Sequence, residues 1–306
     1  MRLSILVVSR TATLVNRFCK SLDLATNLAA MEVEILCSWN GSNTEAGEIN
    51  NTSRFDFHIA QTIPYHYSSN MNKLAERAGG KVLMLANDDL ILDPGCVDAA
   101  IEVLNNNSEA GLVGAVLRNK EGRLTHAGIN FDSRGSAYHL LDEMISADKT
   151  DATITEPVAA VTGALQWIRR DDFQSLEFNE DYQVCGEDVE LCLDIQQKLK
   201  KKVWLCADAK AIHEAESTRK SEKGQDGNSE DLTLLRARVR DFVEQASTEQ
   251  LRLFLQQQQR ESHQLRELIL TRQRQETGRL EILENLLMDL REERLQLKQE
   301  IAALKS

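Results

Sequence analysis

Apolar and polar positions alternate along this chain in blocks whose period switches between that of a strand and that of a helix. Leu3-Ser4-Ile5-Leu6-Val7-Val8 is a short run rich in β-branched residues and reads as a buried strand that stops at Ser9-Arg10. Residues 11–30 have helical spacing, with Leu14, Phe18, Leu22 and Leu24 toward a core. A second strand is expected over 32–37, ending at Trp39-Asn40-Gly41-Ser42, and a third over 55–60. Residues 69–79 look helical, and Leu83-Met84-Leu85-Ala86 is again a buried strand, followed directly by Asn87-Asp88-Asp89. Pro94-Gly95 breaks the chain before a helix over 96–106. Such βαβ alternation predicts an α/β fold with an open, mostly parallel sheet and ligands at the carboxyl ends of its strands.

A further strand falls at 112–117, and irregular sequence runs from His126-Ala127-Gly128 to about residue 157. The next strand, 158–168, is interrupted by Thr162-Gly163-Ala164, where Gly163 marks either a bulge or a close approach of ligand to backbone. Gly186-Glu187-Asp188 opens a helix whose apolar side is Val189, Leu191, Cys192, Leu193 and Ile195. Carboxylates in a first helical turn are stabilised by the macrodipole and need no other role. A strand at 203–206 leads to His213, and residues 214–231 are polar, as in a linker. From Leu232 the composition turns to Leu, Gln, Glu and Arg. Leu280, Leu283, Leu287, Leu290, Arg294, Leu297, Ile301 and Leu304 then recur at alternating steps of three and four, an a/d seam with one polar a position. Leu232, Leu235, Val239, Phe242 and Ala246 form a shorter seam in another phase. One long helix is expected, about 110 Å if continuous, whose last part self-associates; the alternative is a helix folded back on the globular part.

Charge and chemistry narrow the function. The net charge of -12 is carried by residues 1–231, an acidic part unsuited to a nucleic-acid backbone. A divalent cation between such a site and an anionic ligand would reconcile the two. Six scattered cysteines with no CxxC pair suit a reducing compartment better than a disulfide frame or a zinc site. The first strand pattern begins without a signal-peptide pattern, and no apolar run approaches the ~20 residues of a membrane span. A cytoplasmic protein is expected, at most peripheral at the inner face of the membrane. Ser9-Arg10-Thr11 stands where a Gly-rich loop would follow the first strand, which argues against a dinucleotide-binding Rossmann domain, a P-loop and a nucleotidyltransferase.

Taken in order, several motifs resemble the family 2 glycosyltransferases of the GT-A fold, over roughly residues 1–220. They are Ser9-Arg10 after strand one, Asn70-Met71-Asn72 before Ala78-Gly79-Gly80-Lys81-Val82, and Asn87-Asp88-Asp89 as a DxD-type motif. His126-Ala127-Gly128, Val161-Thr162-Gly163-Ala164 and Gly186-Glu187-Asp188 follow on the acceptor side, and His213 to Arg219 closes as H-x-x-E-S-x-R. The resemblance implies an inverting transfer of sugar from a nucleotide diphospho-sugar to a glycan or lipid-linked glycan. It implies Asp89 and His213 on Mg²⁺ or Mn²⁺, with Ser9, Arg10, Trp39, Asn72, Asp88 and Arg219 on the donor. On the acceptor side it implies Asp188 as base, Glu187 orienting the acceptor or the base, and Gly163 nearby. Trp39-Asn40 stands where the family often has an acidic residue that reads the pyrimidine, so UDP and dTDP stay open; Trp39 either stacks on the base or packs. No QxxRW follows Glu187-Asp188, which disfavours a processive, membrane-embedded synthase. The H-x-x-E-S-x-R ending leans toward bacterial surface-polysaccharide enzymes, rhamnosyltransferases included.

The expected organisation is a GT-A domain over 1–220, a linker over 221–231 and a coiled-coil oligomerisation helix over 232–306. That helix makes a homo-oligomer or docks another polysaccharide-assembly enzyme. A degenerate scaffold, or a sugar-nucleotide-binding module without turnover, is the competing expectation.

Overall fold

The computed structural model describes residues 2–148, 154–214 and 228–304. In chain order the elements are β1 (Leu3–Ser9), α1 (Ala12–Ala25), β2 (Val33–Trp39), α2 (Asn43–Ala46), β3 (Asp56–Thr62), α3 (Tyr67–Arg77) and β4 (Val82–Asn87). Then come β5 (Leu90–Leu92), α4 (Cys96–Asn106), β6 (Ala110–Arg118), β7 (Leu124–His126), β8 (Ile129–Phe131), β9 (Ala137–His139), β10 (Glu156–Val158) and β11 (Leu165–Arg169). The chain continues with α5 (Arg170–Leu176), α6 (Glu187–Gln197), β12 (Lys202–His213), α7 (Asn228–Gln245) and α8 (Thr248–Leu304).

The main sheet runs β10-β12-β6-β11-β4-β1-β2-β3, with β5 on β12 and β7 on β6. From β4 to β3 it is parallel, and every residue of the central β1 is buried, as expected of a strand covered on both faces. Beyond β4 it is mixed, because β11 runs antiparallel to both β4 and β6. Leu3, Ile5, Val7, Met84 and Ala86 point to one face, where Phe18 and Leu22 of α1 and Val97 and Ile101 of α4 cover them. The buried side of α1 is therefore Val15, Phe18, Cys19 and Leu22; Leu24, read as core, is 72% exposed. The other face carries α3, α5 and α6.

The strand expected over 158–168 is two strands, β10 and β11, on different neighbours. β12 is longer than its 203–206 core suggests. Its pairing with β6 skips residues 207–209 and resumes at Lys210, so the strand continues to His213.

The C-terminal region divides differently from the reading at 220 and 231. Met1–Gln258 is one compact unit and Gln259–Ser306 another. Leu235, Val239, Phe242 and Phe254 are buried in the first unit, with Phe242 stacked on Phe254 (5.8 Å) and Phe254 against Phe131 (5.8 Å). The shorter seam is thus the face of a folded-back helix. A 3–4 apolar spacing is equally satisfied by a partner helix and by a domain surface. The long helix is broken after α7 by a capping box, in which Ser247 Oγ accepts the Gln250 N–H (3.3 Å) and the Ser247 N–H donates to Gln250 Oε1 (2.8 Å).

These four side chains are each worth about 1.5–3 kcal/mol of burial. A chain ending at Gln258 is expected to unfold in one sharp transition near that of the full protein. One ending at Asp231 is expected to lose several kcal/mol by the same thermal or urea measurement. Equal stability of the two truncations would contradict the fold-back.

Candidate active site

Parallel strands bring the ends of β1, β2 and β4 to one edge, so Ser9-Arg10, Trp39-Asn40 and Asp88-Asp89 collect there. β11 starts beside the end of β4, with Leu165 opposite Ala86, and the Asn87 N–H donates to Ala164 O (2.9 Å). Gly163 therefore sits next to the acidic turn. β5 pairs antiparallel with β12, which sets His213 opposite Leu90 and so beside Asp89.

Asp88 accepts a 2.5 Å hydrogen bond from Ser9 Oγ. Burial pushes its carboxyl up to about 6, partly opposed by that hydrogen bond. Asp89 is 5% exposed; its Oδ1 is buried, accepts no hydrogen bond, and lies 3.2 Å from His213 Nε2. The neighbouring Glu214 binds Arg17 (2.7 Å) and Lys120 (3.1 Å), which ties the end of β12 to α1 and to the loop after β6. A buried carboxylate oxygen without a donor, next to an imidazole nitrogen, fits a divalent cation that finds its remaining ligands on a bound anion. Among the described residues no cluster of three or more His, Cys, Asp or Glu could hold a metal unaided.

Across from this pair, Asp188 lies in the first turn of α6. Its Oδ2 accepts the Gly163 N–H at 2.6 Å and its Oδ1 the Val189 N–H at 2.8 Å. A Cβ on Gly163 would come within 2.9 Å of Asp188 Cβ, so of the two readings open for this glycine, a bulge or a close approach of ligand, the structure shows a close approach made by Asp188. Gly186 precedes α6 at φ +113, where a Cβ would strike the Tyr182 ring at 2.7 Å; only glycine gives this entry into the helix. Glu187 is 9% exposed.

Tyr67 and Asp231 stand in none of the sequence motifs, and His126 enters them only as part of His126-Ala127-Gly128, with no role of its own. The Tyr67 hydroxyl donates to Gly163 O (3.0 Å), and burial together with Glu187, Asp188 and Asp89 holds the phenol protonated. One ring is thus in the electrostatic reach of both acidic groups. His126 Nε2 accepts the N–H groups of Gly128 and Thr162 (3.3 Å each), and burial, then His139 and His213, holds it neutral. Asp231, 2% exposed, accepts three consecutive N–H groups from Gln183 (3.1 Å), Val184 (2.6 Å) and Cys185 (3.0 Å), immediately before Gly186. Arg238 on the same helix donates to Asp194 and Gln197 of α6 (2.7 Å each). Asp231→Ala is expected to lower stability by about 3 kcal/mol, since charge-assisted hydrogen bonds are worth about 1.5–3 kcal/mol each and water replaces part of them. Urea unfolding checks this; an unchanged midpoint would show the three contacts to be idle.

Two expected donor residues are otherwise engaged. Trp39 is 1% exposed and its indole N–H donates to Ser42 O (3.1 Å), so it packs under the Asn40-Gly41 turn and presents no face to a base. The Asn72 amide is spent on Phe178, donating to its O (2.9 Å) and accepting its N–H (2.9 Å), and on Glu180 (3.1 Å); it braces α3 against the segment before Gly186. Arg10 lies close enough to Asp88 to favour its charged form. Arg219 lies outside the described residues.

Residues 11–176 match the family described as Glycosyl transferase family 2. The chain belongs to that family. Its match covers Asp88, Asp89 and Gly163, while Asp188 and His213 lie beyond it. The O-antigen biosynthesis protein RfbC of Myxococcus xanthus is 33% identical over 166 residues, which is 52% of this chain and 13% of that protein. Among solved structures, S. aureus TarS 1-349 superposes with a TM-score of 0.55 at 12% identity, covering 83% of this chain and 71% of that one. The mannosyltransferase PcManGT of Pyrobaculum calidifontis, in complex with GDP-Man and Mn²⁺, gives 0.53 at 12% identity over 83% and 79%. These likenesses establish the GT-A-type fold for this member of the family. Among its described residues no helix is long and apolar enough to cross a membrane.

Proposed function

We propose that the chain is an inverting, metal-dependent glycosyltransferase. In this reading it moves a sugar from a UDP- or dTDP-linked donor to a hydroxyl of a glycan or lipid-linked glycan in bacterial polysaccharide or O-antigen assembly. A rhamnosyl donor is one candidate. The observation that carries the proposal is the pairing of two unlike carboxylates at one sheet edge: Asp89, with its undonated buried oxygen beside His213, and Asp188, held by Gly163. The RfbC likeness supports the polysaccharide setting, and GDP-Man with Mn²⁺ in PcManGT supports a nucleotide sugar and a divalent metal.

Asp89 and His213 would hold Mg²⁺ or Mn²⁺, which when bound supplies neutralisation of the charge that grows on a departing diphosphate. Asp88 stands at the donor side, oriented by Ser9. Asp188 takes the proton of the acceptor hydroxyl as that oxygen attacks the anomeric carbon. Its two backbone N–H contacts fix the carboxylate and leave each oxygen a further lone pair for the incoming O–H. Glu187 and Tyr67 shape the acceptor wall. One base and one displacement invert the anomeric centre. A lipid-linked acceptor would bring the protein to the inner face of the membrane, and the second unit, Gln259–Ser306, would make it a homo-oligomer.

The test is incubation with UDP-, dTDP- and GDP-linked sugars, with and without Mn²⁺, following release of nucleoside diphosphate and the anomeric configuration of product by NMR. Metal-dependent release with an inverted product is expected. Retention would remove Asp188 as the base of a single displacement, and no release from any donor would favour a binding module.

A further inference from the structure

Leu280, Leu283, Leu287 and Leu290 of α8 are each more than half exposed, although all lie on one seam of a regular helix in the second unit. We propose that this seam pairs with the same seam of a second copy as a parallel, in-register, two-stranded coiled coil. The proposal rests on the self-association reading above and fixes its strand number and orientation.

The charges that flank the seam decide the orientation. With Leu280 at a and Leu283 at d, the g positions are Arg279, Leu286 and Glu293, and the e positions are Glu284 and Arg291. In a parallel pair each g residue meets the e residue five positions later in the other copy. Arg279 then meets Glu284, opposite in charge, and Leu286 lies along the stem of Arg291. Continuing the heptad in the sequence alone, Glu293 matches Lys298 and Glu300 matches Lys305. Every charged g–e match is attractive, and each occurs twice by symmetry.

An antiparallel pair matches g with g and e with e. With the seams fully overlapped, Leu280 against Leu304, it sets Arg291 against its own copy and Glu293 against its own copy. Two like-charge contacts then lie at the centre of the seam. The single polar a position fits the parallel form as well, because Arg294 lies next to Glu293 of the other copy. In two strands its long stem reaches the rim, whereas a three-stranded core would enclose it. Self-complementary charge is what makes a second copy the occupant rather than an unrelated helix.

The test uses the full-length chain with Arg294→Cys, which removes no apolar seam contact. Five native cysteines are buried and Cys185 is half-buried, so the variant is compared with the native chain, in which no cross-link of that mass is expected. In a parallel in-register pair it faces its own copy, within reach of a disulfide; in the overlapped antiparallel pair it faces Leu290. Light scattering at twice the chain mass is expected, together with a reducible cross-link of that mass in most chains. Glu284→Arg in the otherwise native chain is expected to weaken the dimer about fivefold at low salt, and Arg279→Glu added to it to restore the affinity. A monomer would overturn both this proposal and the self-association reading. A dimer that fails to cross-link, or that Glu284→Arg leaves unchanged, would keep self-association and overturn the parallel register. A mass of three chains would overturn the two-stranded count.

Discussion

Asp188→Asn is expected to lower sugar transfer about 10³-fold while nucleotide affinity stays within a factor of two. General-base removal costs between about 10² and 10⁴ in rate, and 10³ corresponds to about 4 kcal/mol of transition-state free energy. The substitution is nearly isosteric, and an amide oxygen still accepts the Gly163 N–H that Asp188 Oδ2 accepts at 2.6 Å. The wall formed by Gly163 and the Tyr67 hydroxyl therefore keeps its place. What disappears is the capacity to take a proton, together with the contact of Oδ1 with the adjacent Val189 N–H (2.8 Å), which an amide nitrogen cannot accept. Single-turnover transfer and calorimetric nucleotide binding, measured on the same preparation, separate these effects. Wild-type transfer in the variant would show that another group is the base.

Asp89→Ala is expected to abolish the metal-dependent part of nucleotide binding, a loss of at least a hundredfold in Mn²⁺, or about 2.7 kcal/mol. Without Mn²⁺ the variant and the native chain are expected to bind alike. The reason is local. Asp89 Oδ1 is buried without a donor, and its neighbour is an imidazole that carries charge only when protonated. Such an oxygen is costly to keep in a fold unless something positive completes it. His213→Ala is expected to give a smaller loss, since a carboxylate binds Mg²⁺ or Mn²⁺ more strongly than a neutral ring nitrogen does. Equal Mn²⁺ dependence in Asp89→Ala and the native chain would move the metal elsewhere.

The sequence showed the buried strands and the break before α4 clearly, for a physical reason. β1 and β4 are covered on both faces, so their apolar runs are nearly continuous. Pro94-Gly95 bounds α4 where Gly95 takes φ +76 and permits the turn. Elements whose cause is tertiary were not legible. β8 and β9 are three residues each and exist because they pair with one another. β12 passes through the polar Asp208 and Lys210 because β6 and β5 hold its far end. α7 has the spacing of a coiled-coil seam and packs on α6 instead.

The site divides along the same line. Asp88, Asp89, Gly163, Asp188 and His213 were visible as an ordered set of short motifs, and the fold brings them to one edge. Trp39 and Asn72 sit at matching places but spend their polar groups internally, which no local pattern reveals. Asp231 was invisible for the opposite reason. In sequence it is one acid in a polar stretch, and only the fold-back of α7 carries it to the three amides before Gly186.

Whether a metal-assisted donor site lies at the end of β4 is decided by the thermal transition of the native chain with UDP, dTDP and GDP, each with and without Mn²⁺. A ligand at a hundred times its Kd that binds only the folded state adds about 2.7 kcal/mol of stability. An upward shift of several degrees is expected with UDP or dTDP, one that requires Mn²⁺ and disappears in Asp89→Ala. No shift with any nucleotide, or a shift indifferent to both Mn²⁺ and Asp89, would contradict a metal-assisted donor site at the end of β4.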